Sequence, residues 1–271
     1  MRKALVYFKA NSFFHKMDPT HKMVWIILIS IFAFLKNAEP NYLSVINQLI
    51  IYIFVIIIAF TLGKIGLSRY IRSLFLIIPT AFFIILYKGL FYPYTTTKPF
   101  TSFYELSFIK ITYEGLYDGI GVALRILILT SLSMIFMLTT EPKRLVQSLM
   151  QVAKLPYRIG YTLFAALRFI PLAYEEHKNI TNAHLIRGVG FSNIGIFSKL
   201  SLFKSTIVPL LINGIRRAQE VSIAMDSRAF GAYKKRTVVD KIKVRNLDIV
   251  FVSFTFFLLI SYIFFLIYYK I

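Results

Sequence analysis

The sequence carries IRGVGF at residues 186–191 and SRAFG at residues 227–231, and the organisation of the chain is best understood from these two stretches. In each, an arginine (Arg187 or Arg228) stands directly before a small residue and within four positions of a phenylalanine. A long segment of helical pattern precedes each arginine, and its length of roughly 24–28 Å follows from a rise of about 1.5 Å per residue. The sequence therefore predicts two matched helices that each end in an arginine.

The composition identifies the class of protein. The 271 residues are 57% hydrophobic and 17% aromatic, and the mean hydropathy is +0.67. A soluble domain of this length is less apolar, so the chain is expected to be a polytopic membrane protein. The absence of cysteine excludes disulfides, a thiol nucleophile and a thiolate metal site.

Apolar runs of membrane-spanning length predict the spans. The fold class expected is all-α, with about five transmembrane helices and long cytoplasmic helices. The segment 92–114, with prolines and several threonines, is expected to be a loop. The predicted spans are residues 22–36, 41–62, 70–91, 115–139 and 247–269.

The distribution of basic residues predicts the orientation. The N-terminal arm, the connection 64–72 and the segment 141–246 carry most of the 32 Lys and Arg residues. Because basic loops stay on the cytoplasmic side, we expect a multi-pass protein of the plasma membrane with a cytoplasmic N-terminus. The net charge of +20 is therefore explained by basic residues that face the cytoplasmic side of the membrane, and nucleic acid is not an expected partner.

The segment 141–246 is too charged to span a membrane and too apolar to be a flexible linker. The expected domains are membrane helices 1–4 (1–140), a cytoplasmic helical region (141–246) and a last membrane helix (247–271). Three cytoplasmic helices are predicted, over residues 141–153, 157–187 and 203–228. In the last of these, Val208, Leu211 and Ile215 recur at helical spacing and predict an apolar face, with Asn213 and Arg217 on the other side.

Each terminal arginine has two interpretations. A cation in the last helical turn complements the helix dipole without any further role. Alternatively, the planar guanidinium enters an acidic groove of a partner and binds a carboxylate there. The occurrence of two arginines in matched contexts favours the second interpretation.

Motifs in order along the chain resemble the transmembrane T component of energy-coupling factor transporters, the family that includes the membrane subunit of cobalt importers. The stretches that carry the resemblance are SFFHKMDPTHK (12–22), EGLYDGIGVALR (114–125) and ALRFIPLAYEE (166–176), followed by the two arginine stretches. The third is the most specific. The flanking residues depart from the family's usual Ala-Arg-Gly, since here they read Ile-Arg-Gly and Ser-Arg-Ala.

The resemblance implies a function. The chain would be the non-enzymatic membrane scaffold of an ATP-driven importer, with two ATP-binding-cassette subunits and a membrane-embedded substrate-binding S component as partners, in the lipid bilayer. The substrate would be a vitamin or a transition-metal ion. No cofactor or metal is expected on this chain, and without a GxxxxGK[ST] loop it is not the ATPase.

The resemblance also assigns site residues. Contact with the ATPases would be made by Arg187, Gly188, Arg228 and Ala229. Arg168, Pro171 and Pro209 would anchor the two coupling helices.

Other functions stay open from the residues alone. A stand-alone secondary transporter or channel would show intramembrane acids or broken helices, and a membrane enzyme would show clustered catalytic groups. Arg125 is the one charge well inside a predicted span, either functional or reaching towards a helix end.

Overall fold

The computed structural model describes residues 12–34, 42–75, 77–91, 102–106, 109–187, 196–233, 240–242 and 244–269. The chain forms two compact units. The first contains residues 1–145 and 242–271, and the second contains residues 146–241.

Helices make up most of the first unit, and the expected all-α membrane fold is confirmed. Its helices are α1 (Phe13–Lys16), α2 (Pro19–Phe34), α3 (Tyr42–Thr61), α4 (Leu67–Leu74), α5 (Ile78–Leu90), α6 (Tyr113–Thr139) and α10 (Asn246–Tyr269). Within the described ranges, α6 and the Asn246–Phe264 part of α10 are long and apolar enough to cross a membrane, and three shorter apolar helices, Pro19–Phe34, Val45–Thr61 and Ile78–Leu90, accompany them.

The second helix starts with an acidic residue followed by a proline. Asp18 precedes Pro19, the first residue of α2, and its carboxylate accepts a hydrogen bond from the backbone N–H of Thr20 at 3.1 Å. An acidic side chain at this position satisfies a backbone donor that the first helical turn leaves unpaired. Proline fits the first turn because its missing N–H has no partner there.

The third predicted span, 70–91, is wrong as a single helix. The chain forms α4 and α5 instead, with a break around residues 75–77. Pro79 lies in the first turn of α5 and has no N–H to donate to the carbonyl of Phe75, so it favours the start of a new helix at this position. The predicted loop 92–114 also contains structure: an antiparallel hairpin of β1 (Ser102–Leu106) and β2 (Ile109–Thr112), which pairs Glu105 with Lys110.

The core of the first unit surrounds α6, which packs against α2, α3, α4 and α5. Ile128, Leu132 and Ile135 on α6 are fully buried. Trp25 on α2 is equally buried, and its ring lies 5.7 Å from that of Phe251 on α10. The membrane helices are thus packed by apolar and aromatic contacts along one continuous core.

The second unit contains the three predicted helices. They are α7 (Pro142–Gln151, which begins in the first unit), α8 (Tyr157–Ile186) and α9 (Ile196–Asp226). α9 begins at residue 196 rather than at 203. Between α7 and α8 the chain turns tightly, and a Cβ added at Gly160 would lie 2.0 Å from the sulfur of Met150.

Candidate partner interface on helices α8 and α9

Helices α8 and α9 form an antiparallel pair. The ring of Tyr161, near the start of α8, lies 4.8 Å from that of Phe230, just after the end of α9. At the other end, the Nε2 of His184 lies 3.5 Å from the Oγ of Ser205. The C-termini of α8 and α9 therefore lie at opposite ends of the pair.

The contact between the two helices is polar at its middle. The Nδ2 of Asn213 donates a hydrogen bond to the Oε1 of Glu176 at 2.9 Å. An open, mostly apolar groove of about 180 Å³ runs beside this bond, and its lining includes Phe169 and Leu210 as well as Arg217. We call this region, Glu176, Asn213 and Arg217, the polar seam.

The predicted apolar face of α9 is exposed in this chain. Val208, Leu211 and Ile215 expose 45%, 58% and 60% of their surface, whereas Asn213 and Arg217 are partly buried beside α8. Exposed apolar residues on α8, such as Ile170, accompany them. A contiguous apolar face of this kind marks a surface for a protein partner or for lipid.

The end of α9 at Arg228 is held in a defined geometry. The N–H of Phe230 donates to the carbonyl of Met225 at 3.0 Å, and the N–H of Ala229 donates to that of Asp226 at 3.0 Å. These two bonds form a Schellman motif, in which Arg228 is the C-cap. Ala229 has a φ of 52°, in the left-handed region that usually belongs to glycine. The exposed Arg228 side chain is thus presented at a sharply terminated helix end.

Residues from the start of α8 fix the chain that follows Arg228. The Nη2 of Arg158 donates to the carbonyl of Gly231 at 3.1 Å, and the hydroxyl of Tyr157 donates to that of Tyr233 at 3.0 Å. Sequence reasoning missed Tyr157 and Arg158. No local pattern points to them, because their partners are more than 70 positions away in the chain.

The end of α8 places Arg187 in an equivalent position. Arg187 is the C-cap residue, its N–H donates to the carbonyl of Ala183 at 3.2 Å, and its side chain is exposed. Gly188, which the sequence places next to it, lies outside the described residues. The structure therefore brings both predicted arginines to helix C-termini, at opposite ends of the antiparallel pair.

The three predicted anchor residues lie within the helices. Arg168 and Pro171 are exposed on α8, which continues through the proline, and Pro209 is partly buried in an equally continuous α9. Each proline removes one helical hydrogen bond without ending its helix. Arg125 lies mid-way along α6, and its buried Nε makes no hydrogen bond among the described residues.

Comparison with known proteins establishes the family. A family model described as CbiQ, cobalt transport protein, matches residues 10–239. The chain belongs to the CbiQ family.

Several proteins that are similar to this chain share one name. Proteins called energy-coupling factor transporter transmembrane protein EcfT are similar to the chain over most of their length. The protein from Streptococcus thermophilus is 30% identical over 85% of this chain and 86% of its own. Those from Lactococcus lactis and Bacillus subtilis are 28% and 26% identical, over 89% and 87% of each chain. This CbiQ-family member is accordingly a membrane transport protein.

Proposed function

We propose that this chain is the transmembrane coupling subunit of an energy-coupling factor transporter. Two ATP-binding-cassette subunits bind α8 and α9 at Arg187 and Arg228. A membrane-embedded S component binds the substrate, a vitamin or a transition-metal ion. The chain itself hydrolyses no ATP and transmits the movement of the ATPases to the S component.

The separation of the two arginines is the observation that carries this proposal. α8 has 30 residues, so the antiparallel pair is roughly 45 Å long at about 1.5 Å per residue. With one arginine at each end, the pair offers two separate contact points, one for each of two ATPase subunits. Guanidinium groups suit this role because they bind carboxylates in a planar, two-bond geometry.

The exposed apolar face of α9 supports a further membrane-embedded partner. Leu211, Ile212 and Ile215 are large, apolar and more than half exposed. Their exposure to water would be unfavourable by about 25 cal/mol for each Å². An S component with an apolar surface would cover this face. Because these three side chains are uncharged, the S component can slide or reorient on them.

Isolation of the complex tests this function. The tagged chain is purified from its own host's membranes in mild detergent, and its companions are identified and counted by mass spectrometry. We expect two ATPase subunits and a small membrane protein. In the double variant Arg187→Ala, Arg228→Ala the ATPases are lost, because removing one member of a desolvated charge pair costs about 2–5 kcal/mol.

A matched control is Arg216→Ala, which removes an exposed arginine from the middle of α9. This variant should retain the ATPases. A double variant that keeps the full complement of ATPases would contradict the assigned role of the arginines. Accumulation of labelled Co²⁺ by liposomes that contain this chain alone would favour a stand-alone transporter instead.

A further inference from the structure

A cluster of charged side chains is buried in the first unit, away from the two arginines. Asp18 and Lys22, from the SFFHKMDPTHK stretch, and Asp248, near the start of α10, are each at most 1% exposed. Lys22 interacts electrostatically with both carboxylates. Charges are rarely taken out of solvent so completely unless their positions matter, because their desolvation is costly.

Lys22 binds the end of α6. Its Nζ donates to the backbone carbonyl of Thr139 at 3.0 Å and to the Oγ1 of Thr140 at 3.3 Å. α6 ends here because Pro142 has no N–H with which to continue the helical bonds. The ammonium group supplies a donor to a helix C-terminus, where the carbonyls carry partial negative charge.

The carboxylate of Asp248 binds α10 to the start of α2. The Oδ2 of Asp248 accepts a hydrogen bond from the backbone N–H of Asp18 at 3.1 Å. The carboxylate of Asp18 in turn caps α2 through the N–H of Thr20. α2, α6 and α10 therefore meet at one buried network, which we call the clasp: Asp18, Lys22, Thr139, Thr140 and Asp248.

The position of the clasp along the chain is informative. The second unit is joined to the first by two chain connections, one after Leu145 and one before Ile242. Thr139 and Thr140 precede Leu145 by six and five residues, and Asp248 follows Ile242 by six residues. Arg144, next to the first connection, is also held, since its guanidinium donates to the carbonyls of His15 and Lys16 at 3.2 and 3.3 Å.

The two connections are tied together in the second unit as well. The Nε2 of Gln151, the last residue of α7, donates to the carbonyl of Asp240 at 2.7 Å. The chain that enters the second unit and the chain that leaves it are thus bonded to each other within that unit, and both are bonded to α2 within the first.

We infer that the clasp is the joint through which movement of α8 and α9 enters the membrane helices, with Asp18, Lys22 and Asp248 as its positioning residues. This inference rests on the proposed function. Directional hydrogen bonds suit such a joint because a buried polar network holds one relative position of the groups that it joins. Because hydrogen bonds join the chain near each connection to Lys22 or to Asp18 at the start of α2, the inference predicts that a displacement of α8 and α9 also displaces α2.

Site-directed spin labelling tests the joint in the complete transporter complex. The chain has no cysteine, so a single introduced cysteine is the only position in this chain that takes the spin label. Phe82→Cys, on an exposed part of α5, reports on the first unit, and Ile223→Cys, exposed near the end of α9, reports on the second. Nitroxide mobility is measured with and without a non-hydrolysable ATP analogue, well below the unfolding temperature of the least stable variant.

With an intact clasp, both reporters should respond to the nucleotide. In Lys22→Met the response at Ile223→Cys should persist, and that at Phe82→Cys should fall about two- to thirtyfold, the range found for residues along a coupling route. Thr140→Val, which removes only one acceptor of Lys22, should give a smaller loss. The control Lys88→Met breaks the partly exposed ion pair of Lys88 with Asp118, at 2.9 Å, and should leave both responses unchanged.

Three results would overturn the inference. One is an undiminished Phe82→Cys response in Lys22→Met. Another is a nucleotide response that is absent at Phe82→Cys even with the clasp intact. The third is a proportional loss at both reporters in Lys22→Met and Thr140→Val, which would show general destabilisation. Failure of the proposed function is distinguishable, because the ATPases would then be missing from every preparation, with or without substitutions.

Discussion

The clasp in the first unit and the polar seam in the second use the same kinds of side chain in opposite ways. The clasp buries Asp18, Lys22 and Asp248 almost completely. The seam leaves Glu176, Asn213 and Arg217 only partly buried beside an open groove of about 180 Å³. Buried charges stay in one arrangement, because separating them leaves an unpaired charge in an apolar interior. Partly solvated groups exchange protein partners for water at small cost, so we expect the contact between α8 and α9 to yield more easily than the contact between α2, α6 and α10.

The largest effect is expected from Lys22→Met. The substitution removes the buried cation that binds Thr139 and Thr140 and interacts electrostatically with Asp18 and Asp248, and removing one member of a buried charged group in this way typically costs about 3–5 kcal/mol. The free energy of unfolding is measured by denaturation of the purified protein in detergent. Lys88→Met is the control, because partly exposed pairs contribute only about 0–1 kcal/mol. Equal losses in the two variants would remove the distinction between the clasp and an ordinary surface pair.

Gly119→Ala should be next. A Cβ at Gly119 would lie 3.1 Å from the Cα of Ile85 and 3.2 Å from its carbonyl oxygen, so the backbones of α5 and α6 would have to separate. Overpacking of this kind typically costs about 1–3 kcal/mol.

The control for Gly119→Ala is on the same helix. A Cβ at Gly121 meets nothing within 4 Å, so Gly121→Ala should stabilise α6 by up to about 1 kcal/mol through helix propensity alone. Thermal unfolding of both variants, side by side, measures the difference. A destabilisation by Gly121→Ala as large as that by Gly119→Ala would show that the α5–α6 contact is looser than described.

Asn213→Ala should have a modest effect on the seam. It removes the hydrogen bond to Glu176, and a typical bond of this kind contributes about 0.5–1.5 kcal/mol. The measurement is hydrogen exchange at the amides of α8 and α9, which should become faster only there. A loss of several kcal/mol would mean that the seam is as rigid as the clasp.

The smallest effect is expected at the end of α9. Ala229→Gly relieves the left-handed conformation, which costs a non-glycine residue about 1–2 kcal/mol, but it also adds freedom to the unfolded chain worth about 0.5–1 kcal/mol. The net result is a slower exchange of the Phe230 amide by a small factor. Faster exchange would contradict the Schellman geometry.

Much of the architecture followed from local sequence patterns. The apolar runs located the membrane helices. The break between α4 and α5 was not predicted, although Pro79 provides the reason, because a continuous apolar run outweighed one proline. The two terminal arginines were predicted at helix ends because the small residues after them are typical of helix C-termini.

The orientation of α9 could not be obtained in the same way. In a soluble protein, an apolar face such as that of Leu211 and Ile215 turns inward. Here that face is exposed and Asn213 turns towards α8, where it binds Glu176. The contacts of Tyr157 and Arg158 with the chain after α9 were likewise inaccessible, because they join distant positions and leave no periodic signal.

The antiparallel arrangement of α8 and α9 ties the distance between Arg187 and Arg228 to the lengths of the two helices. Because the two arginines stand at opposite ends, their spacing is set by the number of residues in the helices, and one added turn of α8 lengthens it by about 5.4 Å. Substitution of surface side chains leaves that spacing unchanged. Adaptation to ATPases of a different size would therefore proceed by insertion or deletion of whole helical turns.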